Sequence, residues 1–424
     1  MYKATTSQDL PTRKARLTLM WYAGLDWADQ HHDAVVSDEA GQRVAALRVA
    51  HTAEGLTDLT TFLRGIGDVA THPEHLACIS ETTHGLLIST LLAAGLAVYP
   101  VNPKTVERHR KPSGAKTDAI DAYLLARTGR SDLAALRRLT PDSPLVAELK
   151  VLTPDQDSLI QSQTRLVNQL TACLKAYYPV ALELFGKLHQ LSTLAFLQAF
   201  PTPQQAQAAT VEQIAAVLQA AGHPQAAAKA AQIWQRLHQP QLQADPVLTR
   251  AKARLMRTLV AQLQVLVPQI AAYDQEMTRL FLTPSDSRAF ARLPRAGARL
   301  APRLLAEWGD DRGRYPDAAS GPALAGTAPV AFQSGKFVTV HRRYACSKPL
   351  RNALHQFAWQ STLQQPWARA YYQRKRREGK SHSMAVRALA NQWVRIIYAL
   401  WRAQQTYDAS IFLTAQQTHA RRAA

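Results

Sequence analysis

Short apolar runs alternate with helical patterns along the first third of the chain. Apolar runs bounded by turn-forming residues predict strands, and apolar residues that recur every three or four positions predict helices. These rules predict strands over 22–26, 33–37, 43–49, 75–81 and 96–101, and helices over 52–63, 83–94 and 117–127. The order of these elements is typical of a mixed sheet flanked by helices.

Helical periodicity replaces the strand pattern from about residue 145. Its sharpest stretch is a series of apolar residues spaced alternately by four and three positions: Leu259, Leu263, Leu266, Ile270, Tyr273, Met277 and Leu280. This heptad seam predicts a coiled coil or a long helical hairpin, and it is a candidate dimer contact. Packing within a helical bundle of the same chain is the alternative.

The last third of the chain predicts helices over 290–308, 350–363 and 384–405, with a loop rich in Gly and Pro over 309–348. The pattern as a whole predicts a ribonuclease H-like first domain, because three strands precede alternating helices and strands. We divide the chain into a basic tail (1–20), a catalytic domain (21–145), a helical or coiled-coil region (146–285) and a mainly helical C-terminal domain (286–424).

The charge of the chain narrows the class of partner. Fifty Lys and Arg residues face 31 Asp and Glu residues, a net charge of +19. In a chain with an ordinary apolar fraction, this surplus favours a polyanion such as nucleic acid, the alternative being a basic protein without such a partner. The three cysteines are far apart and fit a reducing interior. The start lacks a signal peptide, and the uncharged stretch 85–101 is short for a membrane span, so we expect a cytoplasmic protein without a membrane.

Four acidic residues at strand ends and on one helical face are candidates for a metal site that acts on a phosphate. Asp26 ends the first strand and Glu81 ends the fourth, while Asp118 and Asp121 share one helical face. In the ribonuclease H-like order the first and fourth strands are neighbours, so the four side chains can converge. Converging carboxylates repel one another unless cations lie between them, and oxygen ligands favour Mg²⁺ or Mn²⁺. Each Asp alone could equally be a solvated residue or a helix cap.

The segments GLDWADQHHDAVV, ISETTHGLL and KTDAIDAYLLA resemble the RuvC-like domain of the DEDD transposases of bacterial insertion sequences. The resemblance implies that Asp26, Glu81, Asp118 and Asp121 bind the catalytic metal. It also implies that the protein cuts and rejoins donor and target DNA as a dimer or tetramer, guided by a bridge RNA.

A second resemblance lies in the C-terminal region. The family has a Gly-x-x-Pro, a Ser-Gly, a helix with Leu-Arg and a Gly-Lys, and this chain has Gly326 to Pro329, Ser334-Gly335, Leu350-Arg351 and Gly379-Lys380. The resemblance implies that Ser334 is the nucleophile on DNA, whereas a Ser-Gly taken alone is a turn. One departure is Pro294-Arg295-Ala296-Gly297, where the family has a Gly-x-Gly hairpin.

Basic residues beside these motifs are candidates for phosphate contacts. They are Lys104, Arg108, Arg110, Lys111, Lys116, Arg351, Arg374, Lys375, Arg376, Arg377 and Lys380. Tyr371 and Tyr372 precede the last run and could contact bases, although a solvated helix face is the alternative. His31, His32 and His84 could move protons, and Trp27 is expected to pack in the core.

Two other functions remain open from the sequence. A RuvC-like junction-resolving nuclease would use the carboxylates and water, leaving Ser334 without a role. A non-catalytic nucleic-acid-binding protein would need none of these residues, and the complete set of four carboxylates argues against it.

Overall fold

The computed structural model describes residues 21–103, 106, 117–283, 285–335, 337–411 and 414. The chain forms two compact units, the first ending at Pro141 and the second beginning at Asp142. The predicted basic tail, residues 1–20, lies outside the described residues.

The first unit is built on a five-stranded mixed sheet. Its strands are β1 (Trp21–Trp27), β2 (His31–Asp38), β3 (Arg43–Ala50), β4 (Leu76–Ser80) and β5 (Ala97–Pro100), and their order across the sheet is β3-β2-β1-β4-β5. β1 and β2 pair antiparallel, as do β2 and β3, whereas β4 is parallel to both β1 and β5. The sheet therefore places the first and fourth strands side by side, as the sequence predicts.

Helices cover both faces of the sheet: α1 (Ala53–Arg64), α2 (Leu86–Ala93) and α3 (Asp118–Asp132). Ala23 and Leu25 of β1 share one core with Leu59 of α1 and Leu91 of α2. Residues 77 and 79 of β4 face the opposite way and pack with Leu125 of α3. The strands are apolar on both faces for this reason. The uncharged stretch 85–101 is accordingly a helix followed by a strand inside this unit.

The second unit is mostly helical. Its first ten helices are α4 (Pro144–Tyr177), α5 (Ala181–Leu184), α6 (Leu191–Ala199), α7 (Pro203–Ala208), α8 (Val211–Ala220), α9 (Ala226–Leu237), α10 (Pro246–Leu282), α11 (Ser287–Ala291), α12 (Gly297–Trp308) and α13 (Ser320–Leu324). They are followed by strands β6 (Val330–Ser334) and β7 (Phe337–His341), and by α14 (Lys348–Ser361), α15 (Pro366–Arg377) and α16 (His382–Ala403).

The long helices α4 and α10 pack against each other and contribute to two separate cores. Leu263 lies in the core formed with α6 to α9, and Met277 lies in the core formed with α12, α14 and α16. Among the described helices, α10 is the one long and apolar enough to cross a membrane, which by itself is weak evidence for a span.

The heptad seam on α10 packs within its own chain. Leu259, Leu263, Ile270, Met277 and Leu280 are each at most 5% exposed in the single chain. These side chains are covered by helices of the same unit, whereas Leu266 and Tyr273 of the seam are half-buried. The burial favours packing within the same chain, and a dimer contact through this seam stays a prediction.

The region from 290 to 348 departs most from the sequence-based expectation. The single helix predicted over 290–308 is two helices, α11 and α12, with a turn at 292–296 between them. The predicted loop contains a β-hairpin, since β6 and β7 pair antiparallel from Val330 opposite His341 to Ser334 opposite Phe337. Every residue of β6 is exposed. Neither face of the strand is buried, so the sequence does not alternate between apolar and polar residues as a half-buried strand would.

Candidate active site

Asp26 and Glu81 stand at equivalent places on neighbouring parallel strands. Leu25 of β1 is opposite Ser80 of β4, and each acidic residue is the next along its chain. Asp26 shares a face of β1 with Gly24, because side chains two apart in a strand point the same way. That face is covered by α3.

The start of α3 supplies the other two carboxylates. Thr117 caps the helix by accepting a hydrogen bond from the backbone N–H of Ile120, which fixes the first turn containing Asp118 and Asp121. A Cβ atom on Gly24 would collide with the carbonyl oxygen of Ala122 and the backbone nitrogen of Ala126. Only glycine lets the helix approach β1 this closely, and that approach brings the first turn of α3 near Asp26.

The electrostatics of Asp26 show that the four groups interact. The pKa of its carboxyl is raised from 3.8 to about 6, first by burial and then by the negative charges of Asp121, Asp118 and Glu81. Asp121 is buried, whereas Glu81 is exposed. A set of oxygen donors whose charges repel one another fits a divalent cation, which would remove the repulsion. The residues present therefore fit a metal site.

A second polar group surrounds Asp118, and of its members the sequence analysis named His31 but missed Asp33 and Arg48. His31 Nε2 lies 3.0 Å from Asp118 Oδ2, and Arg48 Nη2 lies 2.9 Å from Asp33 Oδ2 and 3.7 Å from Asp118 Oδ2. Donor atoms of His31, Asp33 and Asp118 lie within 4.8 Å of one another, as metal ligands could. Asp33 is directly opposite Asp26 across β1 and β2. Asp is uncommon in strands, so Asp33 at the start of a predicted strand was the sequence signal that could have identified this group.

Three other residues that lie near the acidic motifs in the sequence are Trp27, His32 and His84. Trp27 is 51% exposed, so the expectation that it packs in the core is wrong. It is the last residue of β1. His32 is buried and its Nε2 lies 2.8 Å from His51 Nδ1. His84 is exposed in the turn before α2.

Ser334 lies in the second unit, at the tip of the β6–β7 hairpin rather than in a loop. It is the last residue of β6, and Gly335 follows it with φ +56°, a backbone conformation that glycine adopts without strain. Ser334 shares one face of the hairpin with Phe332 and, across the pair, Phe337. All three side chains are exposed, so the hydroxyl is open to an incoming strand.

The predicted basic residues differ in their surroundings. Lys104, Arg108, Arg110, Lys111 and Lys116 lie outside the described residues. The run Arg374, Lys375, Arg376 and Arg377 ends α15, a helix that the sequence reasoning did not predict. Glu378 partly neutralises it, since Lys375 Nζ lies 2.7 Å and Arg374 Nε 3.8 Å from its carboxylate. The Arg374 guanidinium also lies over the Tyr371 ring. Arg351 is half-buried on α14, and Lys380 follows α15.

In the turn between α11 and α12, a residue other than glycine adopts a backbone conformation that glycine favours. Arg295, which replaces the first glycine of the family pattern, has φ +62°, and Gly297 has φ +57°. A positive φ is uncommon for an arginine. The turn thus has a positive φ at both positions where the family pattern has glycine.

Both units of the chain are similar to known transposases. The DEDD transposase family of IS110 elements matches residues 23–179, and the transposase family of IS116, IS110 and IS902 matches residues 287–373. A Streptomyces coelicolor protein, named as the mini-circle transposase for IS117, is 31% identical over 92% of this chain and 96% of its own length.

Proteins of two further insertion elements are similar over comparable lengths. A 42 kDa protein of IS900 from Mycobacterium paratuberculosis and a 44.8 kDa protein of IS116 from Streptomyces clavuligerus are each 28% identical over 91% of this chain and 96% of their own. The family matches and these relatives define an enzyme that cleaves and joins DNA. The chain belongs to the IS110 family of DEDD transposases from insertion sequences.

Proposed function

We propose that this transposase cuts and rejoins DNA with a metal site on the first unit and a serine nucleophile on the second. The observation that carries the proposal is the placement of Asp26 and Glu81 at the ends of neighbouring parallel strands, with the first turn of α3, which holds Asp118 and Asp121, packed closely against β1. The raised pKa of Asp26, caused first by burial and then by the charges of the other three carboxylates, supports it. We propose further that the first unit has a ribonuclease H-like fold, which its strand order supports.

The four carboxylates would hold Mg²⁺ or Mn²⁺ through oxygen atoms. When bound, such ions supply positive charge that polarises the scissile phosphate and stabilises the departing 3′ oxygen. His31 and Arg48 contact Asp118 from the side and restrict where its carboxylate can point. Asp33 in turn holds Arg48 with two hydrogen bonds to one carboxylate oxygen and a third to the other.

Ser334 would attack the phosphorus atom of one strand. Its Oγ–P bond forms as the bond from phosphorus to the 3′ oxygen breaks, and the proton lost by the hydroxyl is matched by one gained at the 3′ oxygen. The product is a phosphoserine ester, so the strand can be rejoined to a new 3′ hydroxyl without an external energy source. The exposed hairpin tip supports this role because a DNA strand can reach it.

The remaining expectations stand as parts of the same proposal. The net charge of +19 supports binding of donor and target DNA and of a guide RNA. We propose that several copies assemble on the DNA in the cytoplasm, and that the chain is organised as a tail (1–20), a catalytic domain (21–145), a helical region (146–285) and a C-terminal domain (286–424).

A transposition assay in cells tests the proposal. A donor plasmid carries the element with its natural flanks, and excision and insertion are counted by junction PCR. Glu81→Gln, Asp121→Asn and Ser334→Ala should each remove both products, while Ser131→Ala, which changes an exposed serine on α3, should not. If gel analysis of the same donor DNA shows that Ser334→Ala still cleaves it while both junction products are lost, water is the nucleophile and the junction-resolving nuclease describes the chemistry better.

A further inference from the structure

Three arginines converge at the base of the β6–β7 hairpin. Arg342 follows the last residue of β7, Arg351 lies on α14, and Arg387 lies on α16, which packs against α14. His355 is one turn beyond Arg351 on the same face of α14. We call Arg342, Arg351 and Arg387 the arginine cluster.

The charges of this cluster have no acidic counterpart. Within the described part of the chain, no carboxylate lies within salt-bridge distance of any of the three guanidinium groups, and Arg351 bonds through its side chain to Asn352 alone. Other arginines of the same unit are paired: Arg299 with Asp274, Arg303 with Asp157 and Arg314 with Asp142.

The arginines act on one another and on His355 instead. Burial, followed by the charges of Arg342 and Arg351, lowers the pKa of Arg387. Burial and the charges of Arg387, Arg351 and Arg342 lower the pKa of His355 to about 4, so its imidazole is neutral at physiological pH. Gathering like charges without a counter-charge opposes folding, and an anion would relieve the repulsion.

Polar atoms in the same place have no partner. Arg387 Nε, His355 Nε2 and the Nε of the neighbouring Arg343 are all buried, and none has a hydrogen-bond partner. A buried N–H donor without an acceptor is unfavourable, which makes these atoms a second and independent indication of a missing anionic ligand. Guanidinium groups donate paired hydrogen bonds that match phosphate oxygens.

We propose that the arginine cluster, with His355, binds a backbone phosphate of the DNA strand that Ser334 attacks. The proposal rests on the function given above. Along β7, Arg342 is five residues from Phe337, the partner of Ser334, so the cluster is ~17 Å from the hairpin tip at ~3.4 Å per residue. The bound phosphate therefore lies on the same strand as the attacked one, a few nucleotides away, and the length of the hairpin limits that spacing.

DNA is favoured over other sources of phosphate because Arg342 of the cluster directly follows β7, the strand that pairs with the one carrying Ser334. A phosphate held at the hairpin base would align the strand along the exposed face that ends at the hydroxyl. A free phosphate ion would not require this placement, and neither would a guide RNA bound elsewhere.

Equilibrium binding measures the contact without any strand cleavage. The full-length protein is titrated into a fluorescein-labelled DNA duplex of about 30 base pairs over a series of NaCl concentrations. Arg387→Gln and Arg351→Gln should each weaken binding ~3- to 10-fold and reduce the log–log salt slope by about one. Arg279→Gln is the matched control, since Arg279 is exposed and paired with Glu276.

Thermal unfolding of the free variants separates a ligand contact from a structural role. Because the cluster opposes folding, Arg387→Gln should unfold at the same or a higher temperature than the wild type while binding DNA more weakly. A lower unfolding temperature for Arg387→Gln, together with wild-type DNA binding by Arg351→Gln, would overturn the proposal. Arg351 bonds only to its neighbour, so that variant folds regardless.

The other sources of phosphate give different results. Unchanged duplex affinity in both variants, with weaker binding of a single-stranded RNA of equal length, would assign the cluster to RNA. Unchanged duplex affinity, with a loss of the thermal stabilisation given by millimolar inorganic phosphate, would assign it to a free anion. Either result overturns the proposal. Failure of the serine nucleophile would instead appear in the transposition assay and leave the affinity differences in place.

Discussion

Each of the two candidate sites of this chain contains several charges of one sign, negative in the first unit and positive in the second. We propose that Asp26, Glu81, Asp118 and Asp121 form a cation site in the first unit and that Arg342, Arg351 and Arg387 form an anion site in the second; the like charges of each group shift the pKa of one member. On this proposal, a ligand of the opposite charge removes the repulsion in each group. A reaction at a DNA phosphate would use both the cation and the anion site.

The two clusters respond differently when the ligand is missing. Asp26 can take up a proton near pH 6, so the carboxylates relieve part of their repulsion by titrating. Arginines remain charged at every physiological pH, and the neutral state of His355 adds no charge to them. Proton uptake can thus substitute for metal in the first cluster, whereas only an anion can neutralise the second. The predictions below separate the two.

The largest effect is expected from removing one carboxylate. Asp26→Asn should lower strand cleavage by at least ~10³-fold, because metal ions stabilise developing charge by several kcal/mol and ~4 kcal/mol is a factor of ~10³. Its affinity for a DNA duplex should be unchanged, in contrast to Arg387→Gln. Asp29→Asn, which alters an exposed acidic residue three positions further on, is the control and should cleave normally. Full cleavage by Asp26→Asn would remove that residue from the site.

The close approach of α3 to β1 is the next feature to test. Gly24→Ala should destabilise the fold by ~1–3 kcal/mol, since its methyl group must push α3 away from β1. Cleavage should fall as well, because α3 positions Asp118 and Asp121. Denaturant unfolding followed by circular dichroism measures the first effect. Gly186→Ala has open space around its Cβ and should unfold as the wild type does.

The pH dependence of stability distinguishes the carboxylates from the arginines. The pKa of Asp26 is raised in the folded state, so ionising it opposes folding, and this penalty grows as pH rises from about 4 to about 6 and is complete above that. Without metal, Asp26→Asn should therefore be more stable than the wild type at pH 8 and equally stable at the acidic end of that window.

Divalent metal supplies the second arm of the same experiment. Millimolar Mg²⁺ or Mn²⁺ at pH 8 should raise the unfolding temperature of the wild type more than that of Asp26→Asn. Equal responses of the two proteins would show that the ion binds elsewhere.

The smallest effect is expected on α15. Arg377 has no carboxylate partner among the described residues, whereas Lys375 is paired with Glu378. If the run contacts phosphates, Arg377→Gln should reduce the log–log salt slope of DNA binding by about one, and Lys375→Gln by less. Equal slopes for both variants and the wild type would identify the run as a solvated helix face.

The sequence predicted the sheet of the first unit well, for a physical reason. Strands buried on both faces are continuous apolar runs, such as Leu76–Ser80, and each is followed by a turn and a helical pattern. Their order predicts that Asp26 lies beside Glu81, because the first and fourth strands are neighbours in a sheet of this order. The contact of Gly24 with α3 could not be predicted, since it depends on the separation between a helix and a strand.

The second unit was harder to predict because its functional features are exposed or assembled from distant segments. The β6–β7 hairpin buries almost nothing, so Phe332 and Phe337 give no core signal. Arg342, Arg351 and Arg387 come from three separate elements, of which α14 and α16 pack against each other only in the folded chain. The Asp33–Arg48 pair was missed in the same way, because adjacent strands in the sheet bring the two residues together.

The central claim is that Ser334 becomes joined to DNA in a reaction that depends on the carboxylates. Active complexes assembled on the element's own ends are quenched with denaturant, the DNA is digested, and tryptic peptides are analysed by mass spectrometry. The peptide 315–336 contains two serines, Ser320 and Ser334, which fragment ions distinguish. The account predicts a nucleotide phosphate on Ser334 in the wild type and none in Asp26→Asn. Cleaved DNA with unmodified peptide in the wild type would contradict it.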